Sequence, residues 1–160
     1  MNRDFVIEEV SDLEAAWPDL EPLLLEQHEY HLPFVGHDLL PDWAARARAY
    51  YAAQKPALIL FAKNKGRAIG FMNGRIVRDP EVFKEVYGFI DNAYVRPEWR
   101  GSGAGRAMLR QAEAWFSRHD LDEVRLTTHA ANKLGVRFWT LSGYGLQSMT
   151  MRKSLTGARQ

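Results

Sequence analysis

The sequence predicts a mixed α/β fold in one domain, and three observations carry that reading. Strand-like apolar runs occur in both halves of the chain, segments of helical periodicity lie between them, and residues 87–130 follow a strand, helix, strand order that fits a parallel crossover unit. Hydrophobic residues make up 46% of the 160 and charged residues 26%, the balance of a globular protein with a buried core. No repeat, low-complexity tract or Pro/Gly/Ser-rich linker divides the chain, so residues 1–160 are expected to form one domain.

Taken in order, "FVIEEV" (5–10) reads as the first strand. Ser11 and Glu14 have capping-box spacing, in which hydroxyl and carboxylate each satisfy an end amide of a helix. The helical region that follows, "DLEAAWPDLEPLLLEQHEYH" (12–31), contains Pro18, which either opens a new helix at its first turn or kinks the existing one. "LPFVGHDLLPD" (32–42) reads as a loop and "WAARARAYYAAQ" (43–54) as an alanine-rich helix. On that helix Trp43, Tyr50 and Tyr51 mark a core face, and Arg46 and Arg48 face solvent.

"PALILFAKN" (56–64) and "RAIGFMNGRIV" (67–77) form a hairpin across Lys65-Gly66, Asp79-Pro80 makes a turn, and "YGFIDNAYV" (87–95) is a fourth strand. From Ala104, Met108, Leu109, Ala112, Trp115 and Phe116 recur at helical spacing, which makes an amphipathic helix. "EVRLTTHA" (123–130) is a fifth strand, "NKLGVRFWTLSG" (132–143) a short helix stopped by Gly143, and "LQSMTMRKSL" (146–155) a last strand.

Charge and composition exclude several classes. The 21 basic and 20 acidic side chains leave a net charge of +1, which argues against nucleic acid or an acidic membrane surface as the main partner. With no cysteine there is no disulfide framework, thiolate metal site or cysteine nucleophile, in keeping with a reducing interior. No run of 18 apolar residues occurs, and the N-terminal segment reaches acidic residues before any signal-like apolar stretch, so the expected location is cytoplasmic. His28 and His31 are three residues apart rather than four and lack the Glu-x-x-His pairing of zinc helices, so no metal is expected.

The chemistry-bearing segment is "RGSGAGR" (100–106), where Gly101, Gly103 and Gly105 alternate between two arginines at the start of a helix. Glycine tolerates positive φ and has no Cβ, so such a turn lets amide N–H groups converge on an anion. The helix dipole and the charges of Arg100 and Arg106 add to that pull. No lysine follows, which removes the nucleoside-triphosphate loop. The last glycine interval, the gap between strand and first glycine, and the Thr127-Thr128-His129 end of the next strand all disfavour the dinucleotide fingerprint.

The longer string "YVRPEWRGSGAGRAML" resembles the acyl-CoA motif of the GCN5-related N-acetyltransferases, with Arg100, Gly103 and Gly105 at the motif positions and Val95 and Pro97 at the approach. "NKLGVRFWTLSGY" (132–144) is similar to a later motif of that family, with Asn132, Phe138, Gly143 and Tyr144 in register. The resemblance implies a mostly antiparallel mixed sheet with helices on both faces. Its fourth and fifth strands splay, and the pantetheine arm of acetyl-CoA lies along Ala93, Tyr94 and Val95.

It further implies that the pyrophosphate rests on Arg100, Gly101, Ser102, Gly103, Ala104, Gly105 and Arg106, and that Asn132 binds the pantetheine amide or the adenylate side. Asn132 also suits a helix N-cap. The implied reaction is acetyl transfer to a primary amine of a small molecule or polypeptide by direct attack in a ternary complex. An alkylammonium of pKa near 10.4 must first lose a proton, so a base is needed, directly or through water. Asp91 and His129 are the candidates, with pairing to an arginine as the plain structural alternative for Asp91.

Where the family often has a tyrosine that protonates the thiolate, this chain has Trp139, whose indole can orient or solvate sulfur but cannot act as an acid near neutrality. A thiol-like pKa of about 8.5 allows the thiolate to leave without an enforced donor. Tyr144 fits the motif's buried aromatic. Glu26, Glu29 and Tyr30, near the family's acceptor loop, are the candidate acceptor contacts, together with Asp38. Dimers are common in the family, so a homodimer is one implied assembly. Two alternatives stand beside this reading: an acyl-CoA-binding sensor with little catalysis, and a nucleotide-binding domain of another type.

Overall fold

The computed structural model describes residues 4–79 and 85–155, and the chain divides into two compact units, Met1–Thr127 and Thr128–Gln160. In chain order the first unit contains β1 (Val6–Glu9), α1 (Leu13–Val35), α2 (Trp43–Ala53), β2 (Ala57–Asn64), β3 (Arg67–Asp79), β4 (Glu85–Val95), a 3-10 turn (Pro97–Trp99), α3 (Ala104–Arg118) and β5 (Val124–Leu126). The second unit contains α4 (Lys133–Leu141). The five strands lie in sequence order in one sheet, antiparallel throughout except for the parallel pair of β4 with β5.

The hairpin between β2 and β3 turns at Lys65 and Gly66, whose φ values of 48° and 80° give the two consecutive left-handed residues that match the twist of antiparallel strands. The start of α1 differs from the expected capping box. Asp12, not Ser11, caps the helix, because its extended backbone brings Oδ1 within 3.0 Å of the Glu14 amide and 3.3 Å of the Ala15 amide. The helix then runs through Pro18, Pro22 and Pro33, and takes in 32–35, which the sequence pattern assigned to a loop. Burial of Trp17, Leu20, Leu23 and Leu24 offsets the missing amide donors, and the stop comes at Gly36, whose φ of 71° lets its N–H reach the Leu32 carbonyl at 2.9 Å.

Helices cover both faces of the sheet. Ile59, Phe61, Phe71 and Tyr94 join Trp17, Leu20, Leu23 and Leu24 of α1 and Tyr51 of α2 in one core. On the other face Phe116 of α3 packs so tightly that an added β-carbon would lie 2.8 Å from its ring at Gly74 and 2.6 Å at Gly88. Neighbouring strand residues point to opposite faces, so Asn73 reaches Tyr51 while Gly74 meets Phe116.

Two further expectations change, and a third is not reached. The fifth strand spans only Val124–Leu126, because only Gly88, Phe89 and Ile90 of β4 offer it a ladder. Residues 146–155 form no strand: they have no ladder partner among the described residues, and Leu146, Met149, Met151 and Leu155 are all exposed. Asp79 ends β3, and the rest of the Asp79-Pro80 turn lies outside the described residues.

Candidate active site at the parting of two strands

β4 pairs with β5 only through Ile90 and then continues alone on that side to Val95. On its other side β3 stays paired, but the register skips: Asn73 faces Asn92 while Gly74 faces Ile90, so Asp91 is the extra residue of a β-bulge. In a regular strand Asp91 and Asn92 would point to opposite faces. The bulge instead turns both toward α2, Asp91 to Tyr50 and Asn92 to Tyr51.

Asp91 Oδ1 accepts from the Tyr50 hydroxyl at 3.2 Å and from Arg75 Nε at 3.1 Å, and Arg75 Nε is also 3.0 Å from the Tyr50 oxygen. Oδ2 is sealed from solvent and has no hydrogen-bond partner among the described residues. Burial pushes the Asp91 carboxyl above its ordinary range, against the opposing pull of Arg75 and then of the Tyr50 hydrogen bond. Burial likewise raises the Tyr50 phenol, with the Asp91 charge adding to it. Beside them Tyr51 donates to Asn73 Oδ1 at 2.9 Å and accepts from Asn92 Nδ2 at 3.2 Å, and burial holds its phenol far up, in the neutral form.

Sequence reasoning placed Asp91 near the splay and anticipated an arginine partner, which Arg75 is. It missed Arg75 by name and set Tyr50 on a core face; Tyr50 is 40% exposed and meets Asp91, while Tyr51 joins the core and Trp43 packs against it. No local signal could have found them, since Tyr50 and Arg75 stand 41 and 16 residues from Asp91.

At the end of β4, Val95 O accepts from Arg100 Nε at 3.1 Å, and the Arg100 guanidinium lies 4.9 Å from the Tyr30 ring and 5.9 Å from the buried Tyr94 ring. Ala93 is half-buried. The glycine turn then takes positive φ at Gly101 (77°) and Gly103 (92°), whereas Gly105 lies inside α3. Within the turn the amides of Arg100, Ser102 and Ala104 donate to Pro97 O, Trp99 O and Ser102 Oγ. A β-carbon at Gly101 or Gly103 would meet nothing within 4 Å, so the turn presents bare backbone to open space. Arg106 is exposed.

Among the acceptor candidates, Glu26 is engaged by Arg96 and Glu29 is exposed. Burial raises the Tyr94 phenol, and the Glu26 carboxylate beside it adds to the shift. In the second unit Asn132 is buried and caps α4, its Oδ1 accepting the Gly135 amide at 3.0 Å. Gly135 could not be larger in place, because a β-carbon there would lie 2.6 Å from the Asn132 side-chain nitrogen. Exposed His129 accepts the Ala131 amide on Nδ1 at 3.1 Å. Trp139 is half-buried, edge-on to Phe138 at 4.9 Å and to a half-buried Tyr144 at 5.4 Å. Among the described residues, no group of three or more His, Asp or Glu is placed to hold a metal, and no helix is long and apolar enough to cross a membrane.

A strand that leaves its parallel neighbour ahead of a glycine turn at a helix N-terminus is the feature that the mixed α/β fold builds here, and comparison with known proteins gives the family. The family model for the acetyltransferase (GNAT) family matches residues 17–144, and the chain belongs to that family. An aminoglycoside N(6')-acetyltransferase type 1 from Stenotrophomonas maltophilia is 38% identical over 61 residues, a match that spans 37% of this chain and only 40% of that protein. Two solved structures share the fold. One, a protein from Clostridium acetobutylicum described as a predicted acetyltransferase and solved with acetyl-CoA, has TM-score 0.77 and 16% identity over 98% of this chain and 100% of that one. The other, aminoglycoside 6'-N-acetyltransferase from Acinetobacter haemolyticus, has TM-score 0.72 and 23% identity over 93% of this chain and 97% of that one.

Proposed function

We propose that this protein transfers the acetyl group of acetyl-CoA to a primary amine on a small molecule, by direct attack in a ternary complex, with residues 1–160 acting as one catalytic domain in the cytoplasm. The observation that carries the reading is the parting of β4 from β5 after Ile90, which leaves Asp91 and a bare strand edge directly ahead of the glycine turn.

The residues present fit acetyl-CoA, because the open backbone at Gly101 and Gly103 is a cradle that any side chain would fill. With three turn amides already used internally, the amides of Gly101, Gly103, Gly105 and Arg106 are the ones to hold a pyrophosphate, aided by Arg106 and the α3 dipole. Ala93, Tyr94 and Val95 offer their backbone edge to the pantetheine arm. Acetyl-CoA supplies an activated thioester, whose C–S bond breaks as the new N–C bond forms.

Asp91 takes the amine proton in this reading. His129 is the second candidate; its Nδ1 accepts the Ala131 amide. Exposed Glu29, with Tyr30, is the acceptor-facing pair on α1. The names of the relatives support an amine-bearing antibiotic or a similar polyamine as acceptor.

Thiol release from acetyl-CoA, followed over a panel of aminoglycosides, simple amines and peptides, tests the proposal. Turnover with at least one small amine is expected. Binding of CoA with no turnover on any acceptor makes the protein a sensor, and tight ATP or NAD binding with none to CoA overturns the reading.

A further inference from the structure

We infer that Tyr50 and Arg75 are positioning residues for proton transfer: they hold the Asp91 carboxylate by Oδ1 and leave Oδ2, which has no donor of its own, as the atom that takes up the proton lost by the acceptor ammonium, directly or through water. The inference rests on the acetyl-transfer reading above, with Asp91 as its base.

Two donors converge on one oxygen. Tyr50 has a single hydroxyl proton and gives it to Asp91 Oδ1, while its oxygen accepts from Arg75 Nε, whose N–H also points at Oδ1. The guanidinium is steadied in turn over the Phe89 ring at 5.2 Å. Among the described residues, the donors to Asp91 therefore converge on Oδ1, and Oδ2 is left buried with none. A buried acceptor without a partner is costly, and the cost is relieved by a donor on an incoming ligand or by a proton.

The titratable and charged groups facing Asp91 are Arg75 from β3 and Tyr50 and Tyr51 from α2, and Tyr51 gives its own proton to Asn73. When the acceptor alkylammonium gives up its proton, directly or through water, one N–H bond breaks, its electron pair stays on nitrogen, and an O–H bond forms on Oδ2. The amine is then neutral and nucleophilic, and Asp91 is a neutral acid. Arg75 and Tyr50 tune this step, since both favour the ionised carboxylate and so keep the base unprotonated to lower pH. Because Tyr50 is 40% exposed yet bonded to Asp91, α2 reaches the reacting end of the site directly.

The test titrates protein carrying aspartate labelled with 13C at the carboxyl, in wild type, Asp91→Asn for assignment, Tyr50→Phe, Arg75→Gln and Arg75→Lys. In parallel, kcat is followed against pH with acetyl-CoA and an aminoglycoside acceptor. The Asp91 midpoint should rise by about one pH unit in Arg75→Gln, by less in Tyr50→Phe, and return most of the way in Arg75→Lys. The acid limb of kcat should move with it while KM for acetyl-CoA stays constant. An Asp91 midpoint unmoved in Tyr50→Phe and Arg75→Gln overturns the positioning role even if Asp91→Asn abolishes the acid limb. An acid limb that survives Asp91→Asn overturns instead the assignment of Asp91 as base. Should Arg75→Gln fail to fold, Tyr50→Phe, at a partly exposed ring, decides alone.

Discussion

Glu26 on α1 and Arg96 just past β4 form a forked ion pair: Arg96 Nε lies 3.1 and 3.0 Å from the two carboxylate oxygens, and Nη2 lies 2.7 Å from Oε1. The remaining Arg96 nitrogen, Nη1, donates to the Ala68 carbonyl at 3.0 Å, so one side chain ties α1 to both β3 and the end of β4. A carboxylate committed in this way has little charge left for an acceptor. Glu26→Gln is expected to cost about 1–2 kcal/mol of stability in a denaturant titration and to leave acceptor KM nearly unchanged. A large KM effect at unchanged stability would return Glu26 to the acceptor pocket.

The glycine turn makes a separate prediction. Gly103 combines φ of 92° with empty space above it, so Gly103→Val both strains the backbone and fills the proposed phosphate cradle. CoA should bind at least roughly tenfold more weakly by calorimetry, a loss of about 1.4 kcal/mol. Pantetheine, which lacks the pyrophosphate, should lose much less; equal losses for the two ligands would place the pyrophosphate elsewhere.

Stability should depend on pH through Asp91. A carboxyl whose pKa is raised by folding binds its proton more tightly in the native state than in the unfolded chain. Its favourable contribution is therefore full below the ordinary carboxylate value and is lost as pH climbs through the raised folded value. Asp91→Asn is neutral at every pH, so its Tm relative to wild type should rise as pH climbs from the ordinary carboxylate value of about 4 through the raised folded value. Over the same series kcat should fall by roughly 10²–10⁴-fold. A Tm difference that does not vary with pH would mean the carboxyl is not raised.

Packing under α3 gives a prediction independent of function. A β-carbon on Gly88 would sit 2.6–2.8 Å from three Phe116 ring atoms, too close to be accommodated in place. Gly88→Ala should destabilise by about 1–3 kcal/mol. Combining it with Phe116→Leu should cost less than the sum of the two single changes, and strict additivity in the double-mutant cycle would show that the ring moves aside.

What was legible in the sequence is what short-range physics controls. Helical periodicity at Met108, Leu109, Ala112, Trp115 and Phe116 needs only one buried stripe, and each of these residues is buried. The Lys65-Gly66 hairpin and the positive φ of Gly101 and Gly103 follow from local backbone sterics. The family motifs lie in two such contiguous segments, which is why the order of residues alone carries the family resemblance.

The tertiary structure alone decided the rest. Whether residues 146–155 form a strand depends on a neighbouring edge, which no local pattern supplies. That Asp12 rather than Ser11 caps α1 was settled by the extended backbone at Asp12, whose carboxylate then meets the Glu14 and Ala15 amides. The surroundings of Asp91 depend on a bulge that needs β3 alongside β4, and on Tyr50 and Arg75 arriving from α2 and β3. Hydrogen bonds across 41 and 16 residues leave no periodicity to read, because the chain between them can take any path that closes the contact. The sequence by itself named the candidate carboxylate and the glycine turn; only folding determined which oxygen of that carboxylate stays unpaired.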